Sequence, residues 1–147
     1  MKKILPISDA ASLAFHAMGL LASKPDHIFS TRDLATELHA SEHHLSKVLQ
    51  CLNRAGFVRS LRGPAGGFSI NPGWEGVSLL EIYETIEGPI RLAECLLGSP
   101  VCLFKNCILG NLLKDINSRL RETLDGTKLS NIVDIFTHTE TNKKEVS

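Results

Sequence analysis

The chain has 147 residues, with 16 Lys and Arg against 16 Asp and Glu, and 43% of it is hydrophobic. That length holds one domain with a real core, or a small domain with an appendage. A neutral total gives no bulk attraction to a polyanion, so any nucleic-acid surface must appear as a local excess of charge.

The first residues, "MKKILPISDAASLAFHAMGLLAS", carry two lysines and then an apolar run, a little like a signal peptide. Pro6, Asp9 and His16 interrupt that run. No stretch is long and apolar enough to span a bilayer. The expectation is a cytoplasmic protein, where thiols stay reduced and clustered cysteines serve as metal ligands or redox sensors.

Residues 9–23 carry apolar side chains at helical spacing with a broad buried face. Pro25 marks a break. Ser30 then caps a second helix, with Asp33 at the capping-box position. Leu34, Ala35 and Leu38 share one face of it, Ala40 is read as the turn, and Ser41 caps a third helix. In that third helix Leu45, Val48, Leu49 and Leu52 recur at i, i+3, i+4 and i+7, and Gly56 stops it. Two short helices joined by about three residues form a helix-turn-helix.

"FVRSLRGPAGGFSINP" follows. Phe57, Val58 and Leu61 suit one strand, Phe68 and Ile70 its partner, and Gly63 to Gly67 the tip between them. A hairpin directly behind a helix-turn-helix is a winged helix. The expected fold is therefore mainly α with one small β-hairpin.

Ser78 and Glu81 open a further capped helix, closed by Gly88-Pro89. Beyond a cysteine-bearing segment, Leu109, Leu112, Leu113, Ile116, Leu120 and Leu124 form one apolar stripe on a long helix. Such a helix outside the first domain needs a partner surface, most simply the same helix of a second chain in a homodimer; packing within the monomer is the alternative. "KLSNIVDIF" reads as a short last helix and "THTETNKKEVS" as a polar, disordered tail. The organisation expected is a winged helix over 1–88, a cysteine loop over 89–108, dimerisation and last helices over 109–135, and a tail over 136–147.

The local charge lies where this fold needs it. Between Ser41 and Gly67 there are four Lys or Arg and one acid, a local +3. Ser41, His43, His44 and Lys47 stand at the start of the third helix, placed for base edges or phosphates in a major groove of double-stranded DNA. Arg59 and Arg62 lie on the hairpin, and Gly63 and Gly66 beside Arg62 let the backbone approach a phosphate or the minor groove closely. The lysine and hydroxyl of a phosphate-binding nucleotide loop are missing here.

Three of the four cysteines, Cys95, Cys102 and Cys107, fall within thirteen residues in "ECLLGSPVCLFKNC". Thiolates are soft ligands for iron–sulfur clusters or zinc. The spacing C-x6-C-x4-C lacks the tight pairs usual for zinc and suits a cluster held by a loop. Cys51, on the third helix, reads as a packing residue.

"LSKVLQCLNRAGFVRSLRGPAGGF" resembles the Rrf-type winged-helix regulators, a family that includes iron–sulfur regulators, a nitric-oxide sensor and a cysteine-metabolism repressor. The resemblance runs from about residue 9 to about residue 133. It implies a homodimer crossed by its long helices, bound to an operator with two half-sites about one helical turn apart. It implies a DNA-binding regulator, expected to be a repressor, and no enzyme.

In the cluster-binding branch the same loop carries three cysteines; here the first-to-third span matches and the middle one is shifted by a residue. Some members complete the site with a histidine just beyond the third cysteine, a place taken here by Gly110. Others use an acid or histidine of the first helix, for which this chain offers Asp9 and His16, seven residues apart on nearly one face. The resemblance thus implies a two-iron or four-iron cluster on Cys95, Cys102 and Cys107, with Asp9 or His16 as fourth ligand. A metal-free thiol switch and a constitutive regulator remain alternatives, and an iron–sulfur carrier or redox protein is a more distant one.

Overall fold

The computed structural model describes residues 7–91, 95–96 and 106–137. Helix α1 (Asp9–Ser23) starts at Ser8, whose Oγ accepts the Ala11 N–H at 3.0 Å. Its inward face is built largely of small residues, with Ala11, Ala14, Ala17 and Ala22 buried beside Met18 and Leu21. Small side chains let neighbours approach closely, and α1 touches more of the fold than any peripheral helix could.

Helix α2 (Thr31–Glu37) and helix α3 (Glu42–Arg54) form the helix-turn-helix, capped by Ser30 and Ser41 as the sequence predicts. The turn differs in detail. His39, not Ala40, takes the left-handed conformation, with φ 50°. Ala40 N–H then reaches back to the Ala35 carbonyl at 2.9 Å. Leu45, Val48, Leu49 and Leu52 are buried, so the whole apolar stripe of α3 faces the core.

The hairpin pairs β1 (Val58–Leu61) with β2 (Gly67–Ile70), antiparallel, with Val58 opposite Ile70 and Arg59 opposite Ser69. Two attachments fix it to the body. Phe29 and Phe68 exchange both backbone hydrogen bonds, at 2.9 and 2.7 Å, which adds a one-residue bridge beside β2. At the base, Asn71 Nδ2 donates to the Gly56 carbonyl at 2.7 Å, and Asn71 N–H donates to the Phe57 carbonyl at 3.0 Å. The first attachment requires glycine at 67, because a Cβ there would overlap the Phe29 carbonyl.

After a short 3-10 turn at Trp74–Gly76 comes α4 (Leu79–Glu87), whose capping box forms in full between Ser78 and Glu81. Helix α5 (Leu112–Gly126) is shorter than the apolar stripe predicts. Gly110 lies at φ 59° and Leu112 N–H bonds to the Leu109 carbonyl, so Leu109 sits in a turn before the helix. Helix α6 (Leu129–Thr137) continues two residues past the expected boundary, which makes Phe136 helical. The remaining tail residues lie outside the described part.

Two apolar clusters result. The main one joins α1, α3, the hairpin and α6 through Met18, Leu21, Leu45, Leu49, Val58 and Leu129. The second joins Ala11, Tyr83, Ile90 and Leu124, with Leu120 at its edge. Burial there pushes the Tyr83 hydroxyl above its ordinary pKa, and nearby Glu87 adds to the shift. The stripe of α5 is thus divided. Leu124 is buried and Leu120 half-buried on the second cluster, whereas Leu112 and Ile116 are 49% and 46% exposed. Among the described residues no helix is long and apolar enough to cross a membrane.

Candidate nucleic-acid interface and thiolate site

Burial of the leucine stripe turns the opposite face of α3 outward, where His43, Lys47, Gln50 and Arg54 are exposed. Ser41 Oγ is engaged as the cap, accepting the His44 N–H at 3.1 Å. His44 is half-buried. It lines a groove of about 400 Å³ together with Asp9, Leu13, His16, Glu37 and Leu38. The structure therefore separates the two histidines read together from sequence: His43 lies on the open face and His44 in the groove.

On the hairpin, Arg62 is exposed at the tip, followed by Gly63 at φ 106°. Gly66 closes the tip by donating to the Gly63 carbonyl at 2.9 Å, and a Cβ at 66 would overlap the Leu61 carbonyl. Arg59 is exposed, and its Nε donates to Ser69 Oγ at 2.8 Å. Ser69 carries no sequence signal of its own; only the strand register brings it opposite Arg59. Cys51 is half-buried beside Arg54, whose Nη2 lies 3.8 Å from its Sγ. Lys47, Arg54, Arg59 and Arg62 thus provide cationic groups on α3 and the hairpin, a surface suited to a duplex backbone.

The cysteine segment leaves α4 under restraint. Gly88, at φ 79°, ends the helix, Ile90 N–H bonds to Glu84 Oε1 at 3.2 Å, and Arg121 Nη2 of α5 reaches the Ile90 carbonyl at 3.4 Å. Beyond this point Cys95 is half-buried and Cys107 is exposed, both as free thiols. The Leu109 N–H donates to Cys107 Sγ at 3.4 Å. Cys102 lies outside the described residues. Among the described residues no three His, Cys, Asp or Glu side chains converge on one metal-sized point.

Asp9 and His16 share the groove with Glu37 and His44. His16 Nδ1 lies 2.7 Å from the Ser12 carbonyl. A carbonyl only accepts, so Nδ1 is the donor in this contact and Nε2 is the ring nitrogen left for any other partner. The Phe136 ring stands edge-on to His16, with centroids 6.2 Å apart. In type the donor set fits an iron–sulfur cluster: soft thiolates on one segment, with one imidazole or carboxylate in reserve.

Residues 7–135 match the Rrf2 family, described as "Iron-dependent Transcriptional regulator". The protein YffB of Lactococcus lactis is 28% identical over 137 residues, spanning 88% of each chain. The HTH-type transcriptional regulator NsrR of Bacillus subtilis is 28% identical over 101 residues, 64% of this chain and 69% of that protein. The solved structure of CymR, the global cysteine regulator of B. subtilis, superposes with a TM-score of 0.71 at 27% identity, covering 90% of this chain and 98% of CymR. The matched span runs from Ile7 through the hairpin and into α6, and the chain belongs to the Rrf2 family of winged-helix transcriptional regulators.

Proposed function

We propose that this regulator acts as a cytoplasmic homodimeric repressor whose affinity for a two-half-site operator is set by a two-iron or four-iron cluster. Cys95, Cys102 and Cys107 hold the cluster, and Asp9 or His16 supplies the fourth ligand. The observation that supports this reading is that Cys95 and Cys107 both lie on the segment joining α4 to α5, whose exit from α4 is pinned through Ile90. A cluster on that segment acts on the start of α5, whose exposed Leu112 and Ile116 are the surface offered to a second subunit. A change there reaches the spacing of the two recognition helices.

The organisation accompanying this reading is the winged helix over residues 1–88, the sensor loop over 89–108 and the dimerising part over 109–135. Ser41, His43, His44, Lys47, Arg59 and Arg62 provide the DNA contacts, with Gly63 and Gly66 shaping the tip. His44 also lines the groove that holds the fourth-ligand candidates.

The test is anaerobic purification with an absorption spectrum and iron and sulfide analysis. Cys95→Ser, Cys102→Ser and Cys107→Ser should each lose the cluster, and Cys51→Ser should retain it. Between His16→Ala and Asp9→Ala, only the true ligand's variant should change the spectrum. Absence of iron from the wild type after anaerobic reconstitution would refute the cluster.

A second reading, a metal-free thiol switch, is favoured by the likeness to CymR and by the exposed free thiol of Cys107. It expects a disulfide among the loop cysteines on mild oxidation, formed in step with DNA release.

A further inference from the structure

The hairpin carries two arginines in different circumstances. Arg62 stands at a glycine-rich tip, whereas Arg59 lies within β1, directly opposite Ser69 of β2. Ser69 is 1% exposed, one of only two buried polar residues among those described. A buried hydroxyl requires a partner. Here the partner is the Arg59 guanidinium, whose Nε donates to Ser69 Oγ at 2.8 Å while the residue as a whole remains exposed.

We infer that Ser69 is a positioning residue for DNA binding: its buried hydroxyl aims the Arg59 guanidinium at the phosphate backbone. The inference rests on Arg59 being a DNA contact. Arginine has high rotamer entropy, and a free one must be ordered at the moment of binding. A bond at Nε orders the side chain beforehand and leaves both Nη groups for bidentate contact with a phosphate. The aim is held relative to α3, because the sheet is tied down at both sides of Ser69. Phe68 bonds to Phe29 through two backbone hydrogen bonds, and Asn71 bonds to the Gly56 carbonyl at the end of α3. Arg59 is thereby built into the frame that carries the recognition helix, whereas Arg62 is carried by a tip.

The experiment uses the full chain and a fluorescein-labelled random-sequence duplex, because a phosphate contact is indifferent to sequence. Ser69→Ala should weaken binding about 3- to 10-fold, the range spanned by loss of one orienting hydrogen bond. In an Arg59→Ala background Ser69→Ala should have no further effect, and Ser69→Thr, which keeps the hydroxyl, should restore affinity. Arg59→Ala should lower the slope of log K against log salt by about 0.9, one phosphate's worth.

Unchanged binding by Ser69→Ala would overturn the inference. So would a loss that persists in the Arg59→Ala background, because that marks a merely structural serine. If Arg59→Ala itself leaves affinity and salt slope unchanged, Arg59 is no DNA contact, and the assignment of this strand to the interface falls with the inference.

Discussion

Leu112 and Ile116 provide a direct test of self-association, because each is about half exposed in the single chain, at 49% and 46%. Fully burying a leucine or isoleucine contributes roughly 1.5–3 kcal/mol, so covering the exposed half contributes about 1 kcal/mol per residue. A two-fold interface uses both residues from each subunit, so the four side chains together contribute about 4 kcal/mol. That corresponds to roughly a thousandfold in the dimer dissociation constant. The double substitution Leu112→Gln/Ile116→Gln removes this contribution while keeping helix propensity, since glutamine and leucine are nearly equal helix formers. The dimer constant from sedimentation velocity over a dilution series should therefore rise by two to three orders of magnitude, about 3–4 kcal/mol. The melting temperature of the dilute protein should move little. Leu124→Gln is the opposite control: at 4% exposure it belongs to the fold itself, and its loss should lower monomer stability. A double variant that sediments like the wild type at every concentration would show that the exposed end of α5 is not the dimer surface.

Arg62→Ala should weaken binding to operator and random duplex alike and reduce the salt slope by about 0.9. Loss of sequence preference at constant slope would instead make Arg62 a base reader. Gly67→Ala places a Cβ against the Phe29 carbonyl and should cost about 2 kcal/mol, seen in the urea midpoint. An unchanged midpoint would mean that the Phe29 bridge is dispensable. The Tyr83 pKa is raised in the fold, so its contribution to stability is whole below the unfolded value of about 10 and is lost as pH rises through the folded value. The urea midpoint should consequently fall more steeply between about pH 10 and the folded value in the wild type than in Tyr83→Phe; equal slopes would contradict the shift.

The recognition helix and the hairpin are legible in the sequence because each rests on local rules. A serine cap, a leucine stripe and a glycine stop define α3, and Ser78 with Glu81 forms both bonds of its capping box as read. The features that escape depend on geometry without a local signature. His39 enters the left-handed region with no glycine to announce it. The apolar stripe runs on through Leu109, yet Gly110 ends the helical backbone before it, and periodicity does not register a backbone reversal. Pairing of Phe29 with Phe68, and of Arg59 with Ser69, depends on register between distant or facing strands. The thiols are legible as a cluster of residue types. Their relation to Asp9 and His16 is not, because those two residues line a groove with Glu37 and His44 between helices.

Helix α1 ties these parts together, and Gly19 is the place where that can be tested. A Cβ at 19 would overlap the Phe136 ring on α6, the same ring that stands edge-on to His16. Two effects oppose each other in Gly19→Ala. Alanine in a helix interior gains about 0.5–1 kcal/mol over glycine. Forcing a methyl into a packed contact costs about 1–3 kcal/mol. The overlap is with an aromatic ring on a helix that is itself fixed, since Leu129 N–H bonds to the Val77 carbonyl at 2.9 Å, so overpacking should win. The melting temperature should fall by roughly 2–8 °C for a net loss of about 1–2 kcal/mol. Phe136→Leu in the same chain should recover part of that loss by removing the ring. If Gly19→Ala instead raises the melting temperature, the α1–α6 contact yields freely, and α6 is a loosely held appendage rather than a fixed partner of α1.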